Sequence, residues 1–122
     1  MEFVVVGLLL DACVLGALQE APAYGYELTQ KTQTKLGISE STLYPVLRRL
    51  LKDGLLVSYD VPYDGRNRRY YKLTANGGVA LAKYQGDWLD YKQNIDSFLG
   101  ETAETLSKEK TTKKEKGGKK SE

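Results

Sequence analysis

Between Ser39 and Asp53 the apolar residues Leu43, Val46, Leu47, Leu50 and Leu51 recur at three- and four-residue steps. That spacing puts them on one side of a helix, where they can be buried. Ser39, Ser41, Thr42, Tyr44, Arg48, Arg49 and Lys52 fall largely elsewhere, with Glu40 the only acid among them. Just upstream, Tyr24, Leu28, Thr32 and Leu36 recur in steps of four and predict the inner side of a preceding helix. Gly37 ends that helix, and Ser39 or a neighbouring hydroxyl caps the next one. Pro45 leaves two options for the second helix. It starts near Thr42, so that the proline falls in the tolerant first turn, or it starts at Ser39 and bends at Pro45. Both options keep Ser41, Thr42 and Tyr44 at its N-terminal end.

The pattern changes on either side of this pair. Phe3 to Leu18 is almost wholly apolar and predicts a helix buried on most sides, with Asp11 and the residues from Gln19 onward facing out. It is shorter than a membrane span needs, Asp11 interrupts it, and no positive segment precedes it. After Asp53-Gly54 the apolar residues alternate at 55, 57, 59 and 61, the period of a half-buried strand. Pro62 to Asn67 is turn chemistry. Arg68 to Thr74 predicts a return strand, with Tyr71 and Leu73 on one side and Tyr70 and Lys72 on the other. Thr74 can cap a last helix, whose start Gly77 and Gly78 weaken. Within it Leu81, Tyr84, Trp88, Tyr91, Ile95 and Phe98 follow at steps of 3, 4, 3, 4 and 3. This heptad seam needs a partner, and a second copy of the chain is the natural one.

These elements predict a mainly α protein with a small β-hairpin: a winged helix-turn-helix plus a C-terminal dimerisation helix. The organisation expected is a DNA-binding domain over residues 1–74, its first helix also at the dimer interface. A dimerisation helix over 75–106 and a disordered Lys-rich tail over 107–122 follow. The distribution of charge supports a polyanion partner more than the net +2 of the 122 residues does. Residues 1–30 sum to −4, residues 31–72 to +5, residues 73–106 to −3 and the tail to +4. A central basic block between acidic flanks points to one polyanion-binding face. Hydroxyls and cations on the third helix can bond phosphate oxygens, and its longer side chains can reach base edges. A solvated amphipathic face would show the same helical pattern. Arg66, Arg68 and Arg69, at the hairpin tip and return, can contact phosphates or the minor groove, or can blunt an edge strand against aggregation.

The chain has no histidine, so histidine-based catalysis and most zinc sites are excluded. Its single cysteine, Cys13, lies among apolar residues and fits a reducing, cytoplasmic setting. No nucleophile–base pair, metal cluster or phosphate loop is present. We therefore expect no enzyme, no cofactor and no metal. A winged-helix protein–protein interaction module without operator binding is the alternative. It would carry a basic face interrupted by acids.

Four motifs in order resemble the PadR family of bacterial transcriptional regulators. They are Tyr24-Gly-Tyr-Glu-Leu, Ser41-Thr-Leu-Tyr-Pro-Val-Leu-Arg-Arg-Leu, Lys52-Asp-Gly-Leu-Leu and Gly65-Arg-Asn-Arg-Arg-Tyr-Tyr-Lys-Leu-Thr. The match runs from about Leu8 to Phe98. The short single terminal helix is similar to the smaller branch of the family, which includes multidrug-sensing members. The resemblance implies a repressor, homodimeric through its first and last helices, that binds double-stranded DNA at an inverted-repeat operator. By position, Ser41, Thr42, Tyr44 and Arg48 match the recognition helix, and Ser39 precedes them. Arg66, Arg68 and Arg69 match the wing. Trp88 matches a tryptophan that, in multidrug-sensing members, pairs across the dimer axis to hold a planar aromatic small molecule. Filling the dimer seam is its other role.

Overall fold

A computed structural model describes residues 3–100, which fold as α1 (Gly7–Ala17), β1 (Ala23–Tyr24), α2 (Gly25–Leu36), α3 (Glu40–Lys52), β2 (Leu56–Tyr63), β3 (Arg66–Leu73) and α4 (Ala75–Leu99). The chain divides into two units, the first ending at Trp88 and the second beginning at Leu89. The tail expected over 107–122 lies outside the described residues, as does the end of the terminal segment expected over 75–106.

The helical pair forms as the spacing predicts. Gly37 takes the left-handed conformation at φ +69°, and the N–H groups of Gly37 and Ile38 return to the carbonyls of Gln33 and Thr32. Ser39 caps α3 by accepting a bond from the Thr42 N–H at 3.3 Å. Pro45 is therefore the sixth helical residue, inside α3 rather than in its first turn. Its ring leaves the Ser41 carbonyl without the usual helical donor. Leu43, Val46, Leu47 and Leu50 are buried, and Leu51 is half-buried. With Leu10, Val14, Leu15, Leu28, Leu56 and Leu81 they make the core.

The first helix differs from its expectation in three ways. It starts at Gly7, not Phe3: residues 3–6 lie outside the helix, the β-branched Val6 is extended at φ −136° and ψ 171°, and Gly7 turns the chain at φ +61°. It is buried along one side rather than most: Leu10, Asp11, Val14 and Leu15 face the core, while Leu8 is 66% exposed. Asp11 does not face out. It is 5% exposed, held by Arg49 of α3.

The hairpin gains a third strand, in the order β1-β3-β2, because Ala23 and Tyr24 pair with Tyr71 and Tyr70. Its turn is tighter than expected. Tyr63 pairs with Arg66, leaving Asp64 and Gly65 at φ +52° and +81°, the two positive angles of a primed turn. The inward face of β2 is also displaced by one residue from the 55/57/59/61 alternation. Leu56 is buried and Ser58 half-buried, whereas Val57 and Tyr59 are exposed. Register explains the shift. Leu56 and Ser58 sit opposite Leu73 and Tyr71, the inner residues of β3, so Val57 and Tyr59 share the outer side with Lys72 and Tyr70. Pro62 is tolerated because β2 is an edge strand.

Thr74 caps α4 by accepting the Gly77 N–H at 2.9 Å. Gly77 is a close-approach residue rather than a weak point, because a Cβ there would overlap the Leu55 carbonyl oxygen. Leu81 is buried in the core of its own chain and faces α1 across Gly16. The second unit, from Leu89, is helical to Leu99 and exposed throughout that stretch. Lys92 and Asp96 form an ion pair there at 3.5 Å.

Candidate nucleic-acid interface

The N-terminal end of α3 is built on hydroxyls. The Ser39 Oγ lies 3.1 Å from the Ser41 Oγ and donates to the Thr42 Oγ1 at 3.1 Å. All three residues are exposed. Apart from the Ser39 cap on the Thr42 N–H, their hydroxyl bonds are to one another and exposed, so they can be exchanged for phosphate or base partners at little cost. Tyr44 is half-buried, and its hydroxyl lies against Gly25, where a Cβ would come within 3.0 Å of it. It therefore ties α3 to the start of α2. Arg48 and Lys52 are exposed and carry no ion pair among the described residues.

Arg49 is used differently. Its Nη2 donates to the Asp11 Oδ1 at 2.7 Å, and its Nη1 lies 3.3 Å from both carboxylate oxygens. Burial pushes the Asp11 carboxyl above the usual carboxylate value. The Arg49 guanidinium opposes that rise, and the nearby Asp53 adds to it.

In the wing the three arginines have three environments. Arg66, at the turn, is exposed and unpaired among the described residues. The Arg69 Nε donates to the Asp60 Oδ1 at 3.3 Å, an exposed pair that phosphate can replace. Arg68 is half-buried, its guanidinium carbon 4.1 Å from the Tyr24 ring centroid and 3.5 Å from that of Tyr63. Beside it Tyr24, Tyr70 and Tyr59 form a row across β1, β3 and β2, with centroid separations of 5.6 and 5.7 Å. Sequence reasoning missed this aromatic row. Its signal is a tyrosine on each strand, at 24, 59 and 70, readable once the register is known.

The residues expected at a dimer seam separate. Leu81 lies in the core and Tyr84 is half-buried, while Trp88, Tyr91, Ile95 and Phe98 are exposed, Trp88 by 44%. Between α1 and the first part of α4 lies an open apolar cleft of about 430 Å³, lined by residues including Val5, Leu9, Cys13, Tyr84 and Trp88. Burial raises the Cys13 thiol above its ordinary pKa, which leaves it a poor nucleophile. No described helix is long and apolar enough to cross a membrane.

Helix, three-residue turn, helix and three-stranded wing define a winged helix-turn-helix protein. The transcriptional regulator PadR-like family model matches residues 14–83, and the chain belongs to that family, whose regulators bind DNA. It is 36% identical over 96 residues to an uncharacterized protein of Lysinibacillus sphaericus, covering 74% of this chain and 87% of that one. It is 43% identical over 65 residues to the transcriptional regulator Rv3488 of Mycobacterium tuberculosis, covering 53% of this chain and 51% of the relative. Among solved structures, smu.1704 of Streptococcus mutans superposes with a TM-score of 0.76 at 36% identity, covering 81% of this chain and 93% of that chain. A PadR family regulator from Clostridium difficile gives 0.68 at 29% identity, covering 74% and 97%.

Proposed function

We propose that the chain is a cytoplasmic homodimeric repressor that places α3 of each copy in successive major grooves of an inverted-repeat operator. The observation that carries this reading is the exposed, capped start of α3. There Ser39, Ser41 and Thr42 present hydroxyls, and Arg48, two turns on, presents a cation with no internal ion pair among the described residues. Phosphate contacts from Arg66 and Arg69 fix the register, and the exposed α3 residues Ser41, Thr42 and Arg48 read base edges, while Tyr44, packed against Gly25, holds the helix for them. Dimerisation uses α1 and the seam residues Tyr84, Trp88, Tyr91, Ile95 and Phe98. It sets the two recognition helices about 34–36 Å apart.

Incubating the full chain with a random duplex pool, then footprinting the recovered sequences, tests this. The expected result is a two-fold symmetric protected site with half-sites one helical turn apart, together with sedimentation as a dimer. Recovery of no preferred sequence, or a monomer at working concentrations, would overturn it.

The cleft beside Trp88 favours one addition, release of DNA by a planar aromatic small molecule stacked on the indole. Such a ligand shifts operator affinity only by its differential binding to two dimer states. Trp88 is the one tryptophan in the sequence, so quenching of its fluorescence by a planar aromatic dye, with loss of the footprint, checks this. Quenching without any change in DNA binding would remove the regulatory role.

A further inference from the structure

We propose that Arg68 is a positioning residue that clamps the wing to the start of α2, and that it does not neutralise a phosphate. The inference rests on the DNA-binding reading above and changes the role of one residue within it.

Three observations meet at this side chain. Its guanidinium lies against two rings from different elements: Tyr24, which ends β1 and immediately precedes α2, and Tyr63, beside the hairpin turn. It is half-buried, unlike Arg66 and Arg69 on the same strand. And Tyr24 is itself fixed, because its N–H donates to the Glu27 Oε1 at 3.0 Å and its ring meets Tyr70 at 5.6 Å. A guanidinium is planar, weakly hydrated and attracted to the negative faces of aromatic rings. Placed between Tyr24 and Tyr63, it links the hairpin tip to the helix that precedes α3. The tip is the part of the wing furthest from the core, and sheet hydrogen bonds alone leave its direction soft. The clamp sets the angle at which Arg66 meets a backbone that α3 has already engaged.

Lysine separates this role from a phosphate contact. It keeps the charge but is a compact, strongly hydrated ammonium that does not stack as a plane. Binding of the full chain to a duplex recovered from the random pool would be titrated between 50 and 200 mM salt. The expected result is that Arg68→Lys weakens binding roughly fivefold at every salt concentration, with an unchanged salt slope. Arg66→Gln, in contrast, lowers the slope by about 0.9, the signature of one lost phosphate contact. Arg68→Lys binding as tightly as the unmodified chain, while Arg68→Gln sheds a slope of about 0.9, would overturn the proposal.

The clamp is also read without DNA. Ring currents move the Arg68 side-chain protons upfield in the NMR spectrum of the unmodified chain, and Tyr63→Leu moves them back. Unshifted Arg68 protons would refute the clamp. If the unmodified chain recovers no duplex at all, the DNA-binding reading fails, and the ring-current shift still decides whether the clamp exists.

Discussion

The helix α3 and the hairpin β2–β3 carry almost the same set of cations, yet they dispose of them in different ways. On α3 the helical period leaves all three cations exposed: Arg48 and Lys52 carry no ion pair among the described residues, and Arg49 is tied by Asp11 of another helix. On the hairpin the setting of each cation is decided by cross-strand neighbours. Arg69 meets Asp60 directly opposite, Arg68 meets aromatic rings two residues away in register, and Arg66 at the turn meets neither. Two of three wing arginines are thus engaged within the chain before any ligand arrives. The lesson is that counting positive charge in a segment overstates what the segment can offer a polyanion, and by more in a sheet than in a helix. A helix leaves its outer face to solvent, whereas a sheet sets every outer residue about 5 Å from one on the next strand.

The largest way to break this comparison is to unseat the hairpin. Its end is tied to α4 by Thr74, whose N–H donates to the Leu55 carbonyl at 3.1 Å and whose hydroxyl donates to the Gly54 carbonyl at 2.7 Å. Gly77 lies against that same Leu55 carbonyl, and a methyl group there would also press the Leu73 Cδ1 at 2.8 Å. Gly77→Ala is expected to destabilise the fold by about 2–3 kcal/mol, measured by urea unfolding. Gly78→Ala is the control. Nothing lies within 4 Å of its added Cβ, so it is expected to stabilise by up to about 1 kcal/mol through helix propensity. Equal effects of the two would mean that the close packing at Leu55 is absent.

A smaller effect sharpens the comparison directly. Arg48→Gln removes an outward cation that has no ion pair among the described residues. It is expected to weaken duplex binding about tenfold in 150 mM salt and to lower the salt slope by about 0.9. Arg69→Gln removes a cation that must first leave Asp60, so its loss is expected to be smaller, about threefold, since an exposed pair is worth under about 1 kcal/mol. A larger loss for Arg69 than for Arg48 would reverse the ranking of helix over wing.

How much of this was legible in the sequence follows the same division. The helical pair, its glycine stop, its serine cap and the buried face of α3 were readable, because each depends on residues within one or two turns of one another. The outward position given to Asp11 was wrong for a non-local reason: an acid in an apolar helix can be buried when a cation on another helix reaches it, and Arg49 is 38 positions away. The inner face of β2 was shifted by one residue because Val57, Tyr59 and Val61 look like core, while the register pairs Leu56 with Leu73. Gly77 looked like a weak helix start because the carbonyl it avoids belongs to a different element. Among the candidate site residues, the exposure of Ser41, Thr42 and Arg48 follows from periodicity, and that of Arg66 from the turn chemistry around it. The stacked setting of Arg68 appears only once three strands are assembled.

The smallest expected effect concerns Arg49, the α3 cation that is held by a buried acid. Asp11 is nearly inaccessible and receives three contacts from Arg49, an arrangement easily taken for a strong stabiliser. The direction of its pKa argues otherwise. Burial raises it, and Arg49 only partly offsets that rise. The folded chain therefore holds the Asp11 proton more tightly than the unfolded chain does. Between the usual carboxylate value and the raised one, the folded state binds more protons, so this group's contribution falls as pH rises through that window and is flat above it. At neutral pH the charged pair orients α1 against α3 without adding net stability, as buried ion pairs often do. Asp11→Asn keeps an oxygen for Arg49 and removes the charge. It is expected to change stability at neutral pH by less than about 1 kcal/mol and to abolish this part of the pH dependence. Urea unfolding of both chains across the acidic range checks it. A loss of several kcal/mol in the variant, with unmodified stability that climbs through the same window, would show that α3 gains its hold on α1 from this charge and not from its leucines.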